Sequence, residues 1–319
     1  MMHAPTLRLP TFAVPLLLAL AVLGYLTGTR HVSGSGSTPQ PPAMRAALGT
    51  SVGVEYPLGW NEAATGPAIP GLTLKGLLRL QAGPGGSEAG LEAGTVAGTA
   101  PSPLPPGIRA RLRNIPRAEV VSLVALQAIR YPDVRLTGYR QRLELYAIPG
   151  QANGEAILAC HAPASEVTVL EQCERIVSSV SLAGQSTSDV TPGGAYGRRL
   201  AGIVAGVERA RRAARARMSR SGAVQSLAAS SASLAARFLH GAGSLGNLDA
   251  PPVAGAAQVA LARAMIAAGG AYGALGQAAR KRSPGRYQAA RLRVQRAERS
   301  VDRALENFAL LGYAAGSQL

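Results

Sequence analysis

Two cysteines, the only ones among 319 residues, are the first candidates for chemistry. Cys160 and Cys173 lie where the pattern changes from β-like to helical. A disulfide between them would close a loop of about fourteen residues, worth roughly 3 kcal/mol in the chain-entropy model. The alternative is two independent buried thiols, which cytosolic proteins often have. We predict the disulfide, and with it an oxidising compartment outside the cytoplasm.

The histidines and carboxylates form no catalytic pattern. His161 follows a predicted strand and could pair with Glu166 or Ser165, but a hydrogen-bonded surface histidine is the preferred interpretation. It adds no further ligand at a useful spacing, so a metal pair with the cysteines is not expected. Carboxylates are scattered singly and no G-x-S-x-G motif occurs. We therefore assign no catalytic, cofactor-binding or metal-binding residue.

The run GAGSLG, residues 241–246, formally matches the dinucleotide pattern G-x-G-x-x-G. That site needs a strand before the glycines and a helix that opens within them, so that backbone amides meet the pyrophosphate. Here a predicted helix precedes the run, and two prolines follow shortly after it. The sequence predicts a loop between helices.

Positive charge is the remaining chemical feature. Residues 191–319 contain 19 Lys and Arg against 5 Asp and Glu, and so hold +14 of the formal +16. On a helical wheel, one arc of the predicted helix 195–220 is apolar: Leu200, Ile203, Val204, Val207, Ala210, Ala214 and Met218. The possible anion-binding residues lie outside that arc: Arg198, Arg199, Arg209, Arg212, Arg217 and Arg220. Further arginines extend the basic surface onto the last helix: Arg286, Arg291, Arg293, Arg296, Arg299 and Arg303. The alternative is that these side chains are simply solvated.

The first element is a predicted transmembrane anchor, residues 1–28. Residues 9–28 contain no charge and are long enough to span a hydrocarbon layer of about 30 Å. A cleaved signal peptide is the alternative, but no A-x-A cleavage site follows. Residues 29–48 are predicted to be a flexible linker, because residues 33–42 are rich in Gly, Ser and Pro.

Residues 49–184 are predicted to form an α+β domain with an antiparallel sheet. Short β-prone runs bounded by Pro or Gly occur at SVGVEYPLGW, LLRLQAG, VVSLVALQAI, RLELYAIP and EAILACHAP. Residues 149–154 are expected to be a hairpin loop. A closing helix follows, with Val169, Cys173, Ile176 and Val180 on its inner face and Ser165 as its cap. Trp60 is expected to fill the core.

After a second linker, residues 185–194, residues 195–319 are predicted to form a basic helical bundle. Two apolar seams with alternating spacings of three and four predict an antiparallel helical hairpin around KRSPGRY. In that turn, Ser283 can cap and Pro284 suits the first helical position. Helices at about 195–220 and 223–240 would complete a four-helix bundle. Gly202 and Gly206 lie one turn apart, as do Gly269 and Gly273, and both pairs are expected to permit close helix packing.

The order of YPLGW, LELYAIPGQANGEAILAC and LEQCERIVSSVSL resembles uncharacterised membrane-anchored extracytoplasmic proteins of actinobacteria. Their domain is similar to the PsbP-like fold of mycobacterial LpqN-type lipoproteins, and the resemblance covers roughly residues 49–183. The lipobox cysteine of those lipoproteins is absent, so a lipid anchor is not implied. The resemblance implies an outside location and a binding or scaffolding role, and transfers no catalytic residue.

Together these features predict a non-catalytic, single-pass membrane protein of the cell envelope, with no cofactor. The basic helices would engage anionic lipid head groups, an acidic wall polymer or an acidic protein. The alternative is a protein of opposite topology whose bundle binds nucleic acid in the cytoplasm. Few aromatic residues and no recognised nucleic-acid-binding module argue against it. An envelope enzyme is a third possibility that no assignable residue supports.

Overall fold

The computed structural model describes residues 44–83, 88–97, 102–124, 126–150, 154–183, 190, 192, 194–220 and 224–314. The predicted anchor, residues 1–28, lies outside the described residues, as does the linker up to residue 43. The described residues belong to one compact unit, Ala43–Leu319. Antiparallel sheets come first along it and helices follow, so the α+β class is confirmed in this coarse form.

Ten strands occur in the described part of the chain: β1 Met44–Leu48, β2 Val52–Pro57, β3 Trp60–Glu62, β4 Lys75–Ala82, β5 Gly90–Ala97, β6 Glu119–Ser122, β7 Gln127–Tyr131, β8 Arg142–Pro149, β9 Gly154–Ala162 and β10 Ser181–Leu182. The large antiparallel sheet has the order β3-β4-β5-β9-β8-β7-β6. A small sheet has the order β1-β2-β10. The expected hairpin around residues 149–154 joins β8 to β9, with Pro149 opposite Glu155. Strand β1 includes residues that the sequence pattern assigns to the end of the linker.

Strand β5 lies between β4 and β9 and is not predicted from its sequence, GLEAGTVA. Its small residues have low β-propensity, yet the close approach of neighbouring backbone requires them. A Cβ atom on Gly90 would lie 2.4 Å from the carbonyl oxygen of Leu80, and one on Gly94 would lie 2.8 Å from that of Lys75. Glycine therefore occupies β5 for steric reasons that a propensity pattern does not express.

Both faces of the large sheet are buried, because the side chains of β8 and β9 alternate between two core clusters. Tyr146 and Leu158 join the core cluster that contains both cysteines, whereas Leu145 and Ile157 join the opposite cluster. The first face is covered by helix α2, Val167–Ser178, and by the small sheet. The second face carries the short helix α1, Pro106–Arg109, and residues from the C-terminal helices.

Cys160 at the end of β9 and Cys173 on α2 form a disulfide, with a Cα–Cα distance of 6.0 Å. The predicted disulfide is confirmed, and it joins α2 to β9, the central strand of the large sheet. Trp60 is 1% exposed in the same core and donates a hydrogen bond from Nε1 to Oε1 of Gln172, at 2.9 Å. Trp60 therefore fills the core, as predicted, although Glu166 rather than Ser165 holds the cap position of α2.

Four helices make up the C-terminal part: α3 Gly194–Arg220, α4 Val224–Gly246, α5 Pro252–Arg280 and α6 Pro284–Leu310. The predicted hairpin is confirmed, because α5 and α6 pack together with Leu261, Met265, Val301 and Phe308 fully or almost fully buried. Ser283 is at the N-cap position of α6 and makes no side-chain capping bond.

The GAGSLG run is helical, so the prediction of a loop at residues 241–246 is wrong. It forms the last turns of α4, and the connection begins only after Gly246. The helix continues because its small residues allow close packing. A Cβ atom on Gly241 would already lie 3.0 Å from Cγ2 of Val207 and 3.3 Å from Sδ of Met265.

The end of α6 lies against the sheet face opposite α2. Tyr131, fully buried on β7, donates a hydrogen bond to the carbonyl oxygen of Leu310, at 2.6 Å. The ring of Tyr313 packs edge-on against Tyr196 and Phe308, with centroid distances of 5.5 and 5.8 Å. One apolar core thus runs from the sheet into the helices.

Helix α5 is long and apolar enough to cross a membrane by length and composition. Thirteen of its residues are nevertheless buried, and it packs against both α4 and α6. A core helix of a folded bundle has the same composition, so this helix is weak support for a membrane span.

Candidate functional site

Helix α3 packs with one face and exposes its arginines on the others. Leu200, Val204, Val207 and Ala214 are buried, and the remaining residues of the predicted apolar arc pack against the same core. The residues predicted to bind anions occupy helix positions outside that arc, which gives α3 the amphipathic character expected from its sequence. A groove lies between α3 and α4.

The first half of this groove, here called the apolar trough, has a volume of about 420 Å³. Its walls come from α3, from α4 and from Leu248, which lies just beyond the end of α4. The apolar lining residues are Gly202, Ile203, Gly206, Val207, Gly241 and Leu248. Arg199, Arg237, His240 and Ser244 complete the lining. The trough therefore combines an apolar interior with a cationic rim.

The second half, here called the arginine pocket, has a volume of about 310 Å³. Arg209 and Arg217 reach it from α3, and Arg237 reaches it from α4. Ser230 and Ser233 supply hydroxyl groups, and Gly206, Ala210, Ala214 and Leu234 complete the lining. Gly206 and Arg237 line both halves, so the trough and the pocket are adjacent parts of one groove.

Glycines on α3 keep the groove open. No atom lies within 4 Å of the position that a Cβ would take at Gly202 or Gly206. The prediction that this pair permits close helix packing is therefore wrong. In the second predicted pair, close approach is confirmed at Gly269 on α5, where a Cβ would lie 2.8 Å from Cγ of Leu239, but not at Gly273, which is open. The absence of side chains at residues 202 and 206 leaves space between α3 and α4.

The positive charges of the groove arginines are not neutralised by ion pairs with the described residues. Arg199, Arg209, Arg217 and Arg237 make no ion pair with a carboxylate in the part of the chain that the structure describes. Within the part of the chain that the structure describes, no Asp or Glu lines either half of the groove. The local field is accordingly positive and complementary to an anion.

On α3, Arg215 pairs with Glu298, and Arg211, which is 5% exposed, pairs with three carboxylates. Its Nη1 lies 2.6 Å from Oε1 of Glu208 and 3.2 Å from Oδ1 of Asp302, and its Nε lies 3.4 Å from Oε1 of Glu298. Burial alone would lower the pKa of Arg211, but the hydrogen bond to Glu208 and the charges of Glu298 and Asp302 raise it overall. This arginine stays charged and joins α3 to α6, so its role is structural.

The structure divides the predicted anion-binding set. Arg199, Arg209 and Arg217 line the groove together. Arg198 and Arg212 are exposed but line neither half. The side chain of Arg220 lies outside the described residues. The arginines predicted to extend the basic surface are exposed on α6: Arg286, Arg291, Arg293, Arg296, Arg299 and Arg303.

His161 is buried, so the prediction of a surface histidine is wrong in that respect. It is 2% exposed on β9, and its Nδ1 lies 2.9 Å from the carbonyl oxygen of Glu88 and 3.1 Å from Oε1 of Gln141. Burial lowers its pKa. The ring is held by hydrogen bonds to Glu88 and Gln141 rather than to the suggested partners Glu166 and Ser165.

Two buried carboxylates on opposite faces of the sheet are each neutralised by an arginine. Glu92 pairs with Arg79, with 2.8 Å between Oε1 and Nε. Glu144 pairs with Arg130 and also accepts a hydrogen bond from the hydroxyl of Tyr146, at 2.6 Å. Because each carboxylate is held by a cation, this arrangement favours structural ion pairs over acid–base chemistry. Among the described residues, no group of three or more His, Cys, Asp or Glu could hold a metal ion.

Comparison with known proteins identifies no family. No protein-family model matches the chain, and no curated protein sequence matches it. Among solved structures, it is similar to the solution structure of cyanobacterial PsbP (CyanoP) from Synechocystis sp. PCC 6803, with 12% sequence identity. That match covers 47% of this chain and 98% of the other, with a TM-score of 0.30. A TM-score this low decides neither fold nor function.

The contribution of α4 to the groove is not among the features predicted from the sequence. Ser230, Ser233, Arg237, His240 and Ser244 follow one another at spacings of 3, 4, 3 and 4. This is the spacing of one helix face, so the signal is present in the sequence. It is obscured because the surrounding segment is rich in serine and alanine and contains a single arginine.

Proposed function

We propose that this protein is a non-catalytic, membrane-anchored binding protein of the cell envelope whose helical part binds an anionic partner. The observation that carries the proposal is the groove between α3 and α4. It presents four arginines without carboxylate partners among the described residues, and no acidic side chain lines it. Arginine forks suit phosphate and carboxylate groups, because they donate two parallel hydrogen bonds.

The proposed location rests on the N-terminal sequence and the disulfide. Residues 9–28 would span the membrane once, and the bulk of the chain would lie on the extracytoplasmic side, where a disulfide persists. The α+β part would have the PsbP-like fold that its sequence motifs resemble, and would act as a scaffold without an active site. The helical part would then face the anionic groups of the envelope.

The binding proposal is tested with inorganic polyphosphate as the probe, at physiological salt, using the full-length chain in discs of zwitterionic lipid. A variant in which Arg199, Arg209, Arg217 and Arg237 are all changed to Gln loses four charges from the groove. The matched control changes four exposed arginines elsewhere to Gln and loses the same charge: Arg263, Arg291, Arg296 and Arg299. We expect the groove variant to bind at least about tenfold more weakly than the control.

Equal weakening in the two variants would show that net charge alone attracts the probe, and would refute a specific site. Circular dichroism of both variants checks that the helices are intact. Wild-type affinity should also fall as salt rises, because the interaction is between charges near the surface.

The second candidate is a protein of opposite topology that binds nucleic acid, which the exposed arginines of α6 favour. The two candidates place the cysteines in different compartments. Intact cells treated with an impermeant maleimide, with and without prior reduction, distinguish them. Labelling only after reduction supports the envelope protein. Labelling only after lysis, without need of a reductant, supports the cytoplasmic alternative.

A further inference from the structure

The two halves of the groove differ in chemistry although they are continuous. The arginine pocket contains three guanidinium groups and two hydroxyls, whereas the trough is walled mainly by Ile203, Val207 and Leu248. A ligand that fills both halves must itself be charged at one end and apolar along the rest.

We propose that the groove binds a single-chain anionic amphiphile, with its head group in the arginine pocket and its alkyl chain in the apolar trough. The inference rests on the proposed function, since it names the class of anion that the site takes. The preferred ligand is a monomer held between α3 and α4, rather than a bilayer surface or an extended polymer.

The head-group site follows from the positions of the arginines. Arg209 and Arg217 are eight residues apart on α3, about 12 Å along the helix axis, and Arg237 approaches from α4. These cations can donate from both sides to the oxygens of a phosphate monoester, while Ser230 and Ser233 offer neutral donors. With no carboxylate in the lining, a dianionic head fits this site better than a neutral or zwitterionic one.

The tail site follows from the open floor of the trough. Its volume of about 420 Å³ falls within the range of roughly 300–1,000 Å³ typical of small-molecule sites. Its floor is glycine at residues 202 and 206, and a Cβ there would meet no atom within 4 Å. Burial of alkyl groups against Ile203, Val207 and Leu248 would remove apolar surface from water on both partners. Arg199 and His240 at the rim can keep their polar ends in water.

This division of chemistry argues against an extended polyanion as the preferred ligand. A polymer with evenly spaced phosphates would place charge in the trough, where the walls offer few hydrogen-bond partners. An amphiphile places its charge and its apolar surface where the groove provides complementary groups.

The test compares octyl phosphate, inorganic phosphate and octyl glucoside by isothermal titration calorimetry. The full-length chain is kept in discs of zwitterionic lipid, and empty discs give the blank. We expect octyl phosphate to bind at least about tenfold more tightly than either inorganic phosphate or octyl glucoside. Arg237→Gln should weaken the binding of octyl phosphate at least about fivefold, since Arg237 lines both halves.

The decisive variant is Gly202→Leu, which fills the trough without removing a charge and lies outside the arginine pocket. The open space at residue 202 lets the helix accept a side chain, so the variant should fold. We expect it to weaken octyl phosphate binding at least about tenfold and to change polyphosphate binding less than about twofold. The matched control is Gly243→Leu on α4, which is equally open but does not line the groove, and should bind like the wild type.

Each outcome decides the question. Equal affinities for octyl phosphate and inorganic phosphate, or full binding of octyl phosphate by Gly202→Leu, would overturn the amphiphile proposal, while specific polyphosphate binding would keep the proposed function. Binding of octyl glucoside as tight as that of octyl phosphate would also overturn it, as would attachment to anionic vesicles without binding of the monomer. Equal weakening of polyphosphate binding in the groove variant and in its charge-matched control would instead refute the proposed function itself.

Discussion

Removal of the disulfide should lower the stability of the α+β part by a predictable amount. The double variant Cys160→Ala/Cys173→Ala opens a loop with a sequence separation of 13, and this loss costs about 3 kcal/mol in the chain-entropy model. Both cysteines are completely buried, so loss of the sulfur atoms adds on the order of 1 kcal/mol for the cavity left behind. For a unit of this size, each kcal/mol lowers Tm by about 2–4 °C, so the total of about 4 kcal/mol gives an expected decrease of roughly 8–16 °C.

The chain contains its own reporter for this change. Trp60 is the single tryptophan of the protein, and its Nε1 donates to Gln172, the residue before Cys173 on α2. Tryptophan fluorescence therefore reports the docking of α2 on the sheet, whereas far-UV circular dichroism mainly reports the long helices α3 to α6. We expect the fluorescence transition to shift more than the dichroism transition.

Wild-type protein in excess reductant is the internal control and should show the same fluorescence shift without any substitution. An unchanged fluorescence transition in the double variant would refute the claim that the cross-link holds α2 to β9. A shift in the variant without one in reduced wild type would assign the effect to the cavity rather than to the bond.

Three further predictions test the packing and the buried charges. Arg211→Met should destabilise the bundle by about 2 kcal/mol in urea unfolding followed by circular dichroism, because Glu208 and Asp302 lose their cation, although they can partly rehydrate and Glu298 keeps Arg215. A cost no larger than that of the exposed control Arg212→Met would contradict this. Gly269→Ala should lower the free energy of unfolding by about 1–2 kcal/mol, because the new Cβ meets Leu239. Gly270→Ala, at an open position, should raise the free energy of unfolding by up to about 1 kcal/mol. Similar effects at both sites would refute the close approach at Gly269. Burial raises the pKa of Glu155 well above its ordinary value. The stability that depends on this carboxyl group is therefore fully present below its unfolded-state pKa and is lost as pH rises through its folded-state pKa. Glu155→Gln should raise Tm at pH 7 and flatten this pH dependence, and an unchanged pH profile would contradict the prediction.

The helices α5 and α6 could be predicted because their apolar seams are long and regular. Met265 and Val301 each occupy a position that the repeat fixes, and both are buried. The disulfide could be predicted for a related reason, since Cys173 shares the inner face of α2 with Ile176. Where one face of an element is strongly apolar, the sequence pattern determines which residues point inward.

The groove and β5 could not be predicted in the same way. Glycine is compatible with close packing and with open space, and only the neighbouring elements decide between them. Gly94 is glycine because the backbone of Lys75 lies close to it, whereas Gly206 has no neighbour within 4 Å of a Cβ. The helical state of GAGSLG and the burial of His161 likewise depend on residues distant in sequence, such as Val207 and Glu88.

The distribution of acidic residues supports the proposal that the helices bind an external anion. Residues 191–319 contain five carboxylates, and Glu208, Glu298 and Asp302 are already engaged by Arg211. The bundle cannot neutralise its remaining arginines internally, so they repel one another and attract counterions. This repulsion is greatest where several arginines share a groove that contains no carboxylate, as at Arg237. An anion bound there stabilises the folded bundle as well as filling the site, and ligand binding should therefore raise Tm most strongly at low salt.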